Sequence, residues 1–172
     1  MKVLNTNKWL LKLFLATVLF FCFNLSFAQP GLPQRTLTVA ATQPIHFCTL
    51  CVTGKGGGTI TVGWDGSRTS TGDILLLSIA PIAHPAIFEI KLCQGRNVSI
   101  VFDATIILTG SNGGSFTLDI GPTEKGGNNA RFATNSDCNF VTQLRVGGTL
   151  HIPATALSGV YTGGFNITFN QE

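Results

Sequence analysis

Val146–Phe169 reads VGGTLHIPATALSGVYTGGFNITF, two alternating stretches on either side of a turn rich in Pro, Ala, Ser and Gly. In Gln143–Ile152, Leu144, Val146, Leu150 and Ile152 fall on one face, and Gln143, Arg145, Thr149 and His151 on the other. In Val160–Asn170, Tyr161, Phe165, Ile167 and Phe169 face one way, and Thr162, Asn166, Thr168 and Asn170 the other. A period of two marks a half-buried β-strand, because successive side chains of an extended backbone point to opposite sides. The stretch holds no set of residues that performs chemistry. It speaks for architecture.

Working outward, the same pattern recurs. Strands are expected at Thr36–Thr42, Ile45–Leu50, Thr59–Trp64, Asp73–Ala80, Ala86–Leu92, Val98–Phe102, Thr105–Leu108 and Ser115–Ile120. Between them lie Gly-Lys-Gly-Gly-Gly at 54–58, Asp-Gly-Ser at 65–67, Ser-Asn-Gly-Gly at 111–114 and Gly-Gly-Asn-Asn at 126–129. These residues supply positive-φ positions and side chains that bond nearby backbone, so they read as turns. Many short strands at this spacing predict an all-β fold, an immunoglobulin-like β-sandwich, with a jelly roll or open barrel as the competing architecture. Gly121–Phe140 lacks periodicity and reads as a long surface loop.

The N-terminus reads as an address. Lys2, Lys8 and Lys12 precede and enter an uncharged apolar run from Leu13 to Phe23, and Ser26 and Ala28 put small residues at −3 and −1 before Gln29. That is the pattern of a secretory signal peptide over residues 1–28, cleaved between Ala28 and Gln29. The run is shorter than the roughly 20 residues of a membrane span, so no integral membrane anchor is expected in residues 29–172. Removing the first 28 residues takes three of the eleven Lys and Arg and no acid, leaving eight of each sign. A near-neutral chain excludes nucleic acid as an expected partner. The remaining 144 residues suit one domain.

Four cysteines lie beyond residue 28: Cys48, Cys51, Cys93 and Cys138. An even number in an exported domain predicts two disulfides, in any of three pairings. Cys48 and Cys51 also fit a redox CxxC or half of a zinc site. Redox pairs typically open a helix, whereas the flanks here look like strand and turn. Zinc needs four converging ligands, and Cys93 and Cys138 are isolated in the sequence.

Catalysis finds little support. His46, His84 and His151 are scattered, there is no Gly-x-Ser-x-Gly, and Asp65, Asp73, Asp103, Asp119 and Asp137 lack calcium-loop spacing. Gly54–Gly58 leads into a strand, while a phosphate-cradling loop needs a helix N-terminus behind it. No cofactor, metal or enzymatic activity is expected. Asn97-Val98-Ser99 and Asn166-Ile167-Thr168 match the glycosylation sequon, which counts only in a eukaryotic secretory path.

Phe47, Gly57–Val62, Gly66-Ser67-Arg68, Gly72-Asp73-Ile74, Ala86-Ile87-Phe88 and Gly147-Gly148-Thr149-Leu150 form a set that closes with Gly159, Tyr161, Gly163 and Phe165. Over about residues 36–170 this set resembles a bacterial domain-of-unknown-function family, the one numbered 4402. More distantly it is similar to spore coat protein U and to chaperone–usher pilin subunits, which are secreted immunoglobulin-like domains ending in an alternating strand. Those pilins usually finish on a near-terminal aromatic, whereas here Phe169 is followed by Asn-Gln-Glu. They also carry a disulfide from an early strand to a cysteine after a later one, as Cys93 follows Ala86–Leu92. The pilin likeness implies that Thr36–Thr42 acts as a donor strand, with Leu37, Val39 and Ala41 entering a groove of the next subunit. The alternative is that this strand pairs within its own domain.

The expected function is an exported, non-enzymatic cell-surface or fimbria-like subunit or adhesin, found in the periplasm, at the cell surface or outside. Its partners would be other copies or related surface subunits joined through strand addition. The competing expectation is a soluble secreted module that binds carbohydrate or protein.

Overall fold

Alternating β-branched and aromatic residues hide their apolar side most readily when strands pair into sheets that then stack. The computed structural model describes residues 9–10, 12–14, 16–17, 36–92, 95–137 and 139–172. The chain divides into two units, Met1–Gln34 and Arg35–Glu172. The described residues of the first are helical, and Thr17 Oγ1 donates to the Leu13 carbonyl at 2.6 Å. No helix among the described residues is long and apolar enough to cross a membrane. The expected cleavage point, Ala28 and Gln29, lies outside the described residues.

The second unit is all β. Its strands are β1 (Thr38–Gln43), β2 (Leu50–Val52), β3 (Gly58–Val62), β4 (Arg68–Gly72), β5 (Ile74–Leu76), β6 (Ala86–Lys91) and β7 (Asn97–Phe102). They continue with β8 (Thr105–Gly110), β9 (Ser115–Thr123), β10 (Arg131–Ala133), β11 (Thr142–Ile152), β12 (Tyr161–Thr162) and β13 (Ile167–Gln171). The large sheet runs β1-β6-β11-β9-β8-β12, with β3 and β4 added beside β11. A second sheet is β10-β7-β13, and β2-β5 forms a separate ribbon. Every pairing between these strands is antiparallel. The expected sandwich or open barrel is what forms, with curled sheets.

β11 organises the large sheet. On one edge its first half pairs with β6 (Leu144↔Phe88) and its second half with β3 (Leu150↔Ile60), so two strands lie end to end along it. Its other edge pairs with β9. Leu144, Val146, Leu150 and Ile152 are buried, as the alternation predicts. With Ile60, Ile90 and Leu118 they meet Val98, Ile100 and Phe102 of the small sheet in one core.

β9 contains a bulge. Val146 and Gly148, two apart, face Thr123 and Ile120, three apart. Gly121 takes φ +96 within that extra step, a conformation that side-chain-bearing residues adopt only under strain. The added residue shifts the inward set from Phe116, Leu118 and Ile120 to Thr123. Buried Thr123 is satisfied because its hydroxyl donates to the Gly126 carbonyl at 2.8 Å and accepts the Lys125 N–H at 3.1 Å.

Four expectations are corrected. Ile45–Leu50 is not a strand: His46 alone bridges to His84, and Cys48 has φ 74, which breaks the extended backbone before β2. Asp73–Ala80 shortens to Ile74–Leu76, because the Leu77 and Ile79 carbonyls accept from side chains instead of a ladder. Gly121–Phe140 is not one loop: β9 extends to Thr123, and β10 forms around the buried Phe132. Val160–Asn170 is two strands, since β12 pairs with β8 of the large sheet and β13 with β7 of the small one.

Candidate functional site: an apolar groove left by a missing strand

The break in the C-terminal stretch makes the site. At Gly163-Gly164 the chain leaves the large sheet and crosses to the small one. A Cβ on Gly163 would stand 2.6 Å from Leu108 Cδ2 and 3.0 Å from the Ile107 carbonyl, so this crossing requires glycine. On either side the aromatics anchor the chain. Tyr161 stacks on Phe116 with ring centroids 3.6 Å apart and planes 8° apart. Phe165 meets Phe88 edge-on at 6.1 Å, and Phe169 lies 5.8 Å from the same ring.

The small sheet and the β2-β5 ribbon do not cover the large sheet between them. The gap is a groove of about 1200 Å³ floored by Phe88, Ile106, Leu108, Phe116 and Leu118. One wall is the segment from Gln43 to Val52, and the other runs from Ala156 to Phe165. β2, β12 and β13 each pair on one edge only among the described residues, so strand edges border the opening. Tyr161, Phe165, Ile167 and Phe169 are accordingly half-buried where a covered strand would hide them. Leu157 and Val160 stand exposed at the rim.

The first wall holds a polar cluster. His46 and His84 exchange both backbone hydrogen bonds at 2.9 Å, and their rings lie 5.6 Å apart. The Cys48 N–H donates to His46 Nδ1 at 2.9 Å. The Cys48 thiol donates to the carbonyls of Leu77 and Ile79 at 3.2 and 3.3 Å. Arg68 donates to the Leu77 and Thr49 carbonyls, while its Nε, like His84 Nδ1, is buried without a partner among the described residues.

Cys48 and Cys51 are free thiols, which corrects the expectation of two disulfides. Cys48 is turned onto two carbonyls and Cys51 lies exposed on β2, so each sulfur is held apart from a bridging partner. Cys93 and Cys138 lie outside the described residues. Among the described residues, no three of His, Cys, Asp and Glu are placed to hold a metal ion.

Burial first, and the charge of His84 second, push the His46 imidazole below its ordinary value of 6.5. The unfolded chain then binds more protons than the folded one just below that pH. This contribution is intact above pH 6.5 and declines as pH falls toward the lowered folded value. The urea midpoint is expected to fall between pH 7.5 and 5.5, and His46→Gln is expected to flatten that slope. An unchanged slope in the variant would remove His46 from the account.

Leu37, Val39 and Ala41 sit on β1, which pairs with β6 of its own domain. Their cross-strand partners Ile90 and Phe88 place Val39 and Ala41 on the inward side, yet Val39 is 39% exposed and Ala41 lines the groove. The glycines of the closing motif serve close approach. A Cβ at Gly147 would lie 2.5 Å from the Val62 carbonyl, at Gly148 3.0 Å from Leu118 Cδ1, and at Gly159 2.9 Å from Ser111 Oγ. Reading by segment assigned the groove floor to closed core, because the gap joins stretches about 100 residues apart.

Among curated proteins and among solved structures, none gives a significant match to this chain. A family model does match, over residues 37–170, which takes in every strand of the β unit from β1 to β13 apart from its terminal residue. The chain therefore belongs to the domain-of-unknown-function family DUF4402.

Proposed function

We propose that this protein is an exported, non-enzymatic subunit of a surface assembly that joins its neighbours by β-strand addition. Its groove takes the Leu37, Val39 and Ala41 row of β1 from a second copy. The observation that carries this reading is the groove itself, an apolar trough between unpaired strand edges whose flanking aromatics remain half-buried. An added strand gains main-chain hydrogen bonds from an edge and buries alternate side chains on the floor. β1 suits the donor's part. It is a sheet edge with one partner, and five of its six residues are exposed in the folded monomer, so little apolar contact is lost on release. Exchange of such an element is an economical route to assembly.

The test uses exported protein comprising residues 29–172, run unheated and heated on denaturing gels beside Val39→Asp. At a position already 39% exposed the carboxylate is tolerated in the monomer, but in an apolar groove its desolvation opposes insertion. The expected result is a heat-sensitive ladder for the natural chain and none for the variant, with equal urea midpoints. A single monomer band for the natural chain, or the same ladder for both, overturns the proposal.

A further inference from the structure

A second concavity lies away from the groove floor, where the outer side of the large sheet meets the loop after β11. It encloses about 490 Å³, within the range of small-molecule clefts, roughly 300–1,000 Å³. Ser115, Thr117, His151 and Thr155 line one side, and Leu157 and Tyr161 the other. Strand register explains the polar side. Thr117 lies directly opposite His151, and Asp119 lies opposite both Thr149 and Thr105.

These neighbours form a fixed network. Asp119 Oδ2 accepts from His151 Nε2 at 2.7 Å, and Asp119 Oδ1 accepts from Thr105 Oγ1 at 2.8 Å. The Thr105 hydroxyl first and the His151 imidazole second hold the Asp119 carboxyl below its ordinary 3.8, so near neutrality it is a carboxylate that only accepts. The proton on Nε2 leaves Nδ1 of a neutral imidazole as an acceptor. An exposed ion pair stabilises a fold little, and this one is about half exposed on both partners. What it does is orient a ring at the cleft.

The surface beyond the cleft continues the pattern. Thr69, Thr61, Thr149, Asp119 and Thr105 form one row across five strands, and Thr71, Thr59, His151, Thr117 and Ile107 the next. Thr59 and Thr71 hydroxyls lie 2.7 Å apart, and Thr61 and Thr149 hydroxyls 3.0 Å apart. The two charged groups in these rows are paired with each other. The half of the sheet at β6 and the start of β11 differs, carrying Glu89, Lys91 and Arg145.

We propose that the cleft, continued by the threonine rows, is a binding site for a neutral glycan. A sugar has an apolar C–H side for Leu157 and the Tyr161 edge, and hydroxyls that donate and accept for Ser115, Thr117 and His151. An anionic polymer finds the Asp119 carboxylate and no Lys or Arg lining the cleft. This site is independent of the groove, so either proposal stands if the other fails.

The test is depletion of the exported chain by amorphous cellulose, cross-linked dextran and insoluble mannan, with calcium alginate as the acidic control. Depletion by at least one neutral polysaccharide and not by alginate is expected. His151→Ala and Thr117→Val are each expected to weaken it about tenfold, the loss of one good hydrogen bond. Both positions face outward, so urea midpoints matching the parent chain keep the comparison valid, and Thr155→Val serves in place of either variant that shifts. No depletion by any neutral polysaccharide, stronger depletion by alginate, or equal binding by folded variants overturns the proposal.

Discussion

Leu144→Ala is expected to destabilise the β unit by about 2–5 kcal/mol, the cost of removing a fully buried leucine and leaving a cavity. Leu144 is 0% exposed, in the first half of the strand that pairs with β6 on one edge and β9 on the other, directly opposite Phe88. The surrounding sheets cannot collapse onto the space without breaking that register. In urea the midpoint should drop by roughly 1–3 M. Gln143→Ala, one residue away and exposed, should change stability by no more than about 0.5 kcal/mol. The contrast checks the register: equal effects from the two substitutions would mean that β11 does not present its even-numbered side to the core.

Gly147→Ala is expected to cost about 1–3 kcal/mol, the range for forcing atoms into a packed site. The added methyl meets the Val62 carbonyl at 2.5 Å and the Trp64 nitrogen at 3.0 Å. Both are backbone, so relief requires moving β3 away from β11. Restricting the unfolded chain acts the other way, by about 0.4–1 kcal/mol, which the clash exceeds. The measurement is again the urea midpoint, with Gly127→Ala as control, since a Cβ there meets nothing within 4 Å. A neutral or stabilising Gly147→Ala would show that β3 sits farther from β11 than these distances state.

What was legible in the sequence follows from local periodicity. β11 keeps strict alternation over eleven residues, so its buried and exposed sides were readable directly. β6, β7 and the first part of β9 alternate in the same way. β4 escaped because Arg-Thr-Ser-Thr-Gly has no apolar row; its place comes from pairing with β3, where Thr59 and Thr71 meet hydroxyl to hydroxyl. β10 escaped because three residues with one buried Phe132 carry too short a signal. The strand expected at Ile45–Leu50 fails at Cys48, whose positive φ lies outside anything residue type would suggest, since cysteine carries a Cβ that disfavours it.

The candidate sites divide along the same line. Leu37, Val39 and Ala41 were readable as an apolar row, but not the sheet edge that leaves them half-uncovered. Phe88, Phe116 and Leu118 were readable as inward-facing, but not the gap above them, which exists because β13 departs to the small sheet after Gly163-Gly164. His151 and Asp119 were scattered letters until two registers on neighbouring strands set them 2.7 Å apart. The sequence by itself determined the all-β class, the inner and outer sides of the long strands, and membership of DUF4402 through residues 37–170. Only the tertiary structure decided which strands adjoin, where the layers fail to cover each other, and which polar side chains meet. Alternation is written in neighbours two residues apart, whereas coverage and convergence depend on contacts between segments that no local pattern links.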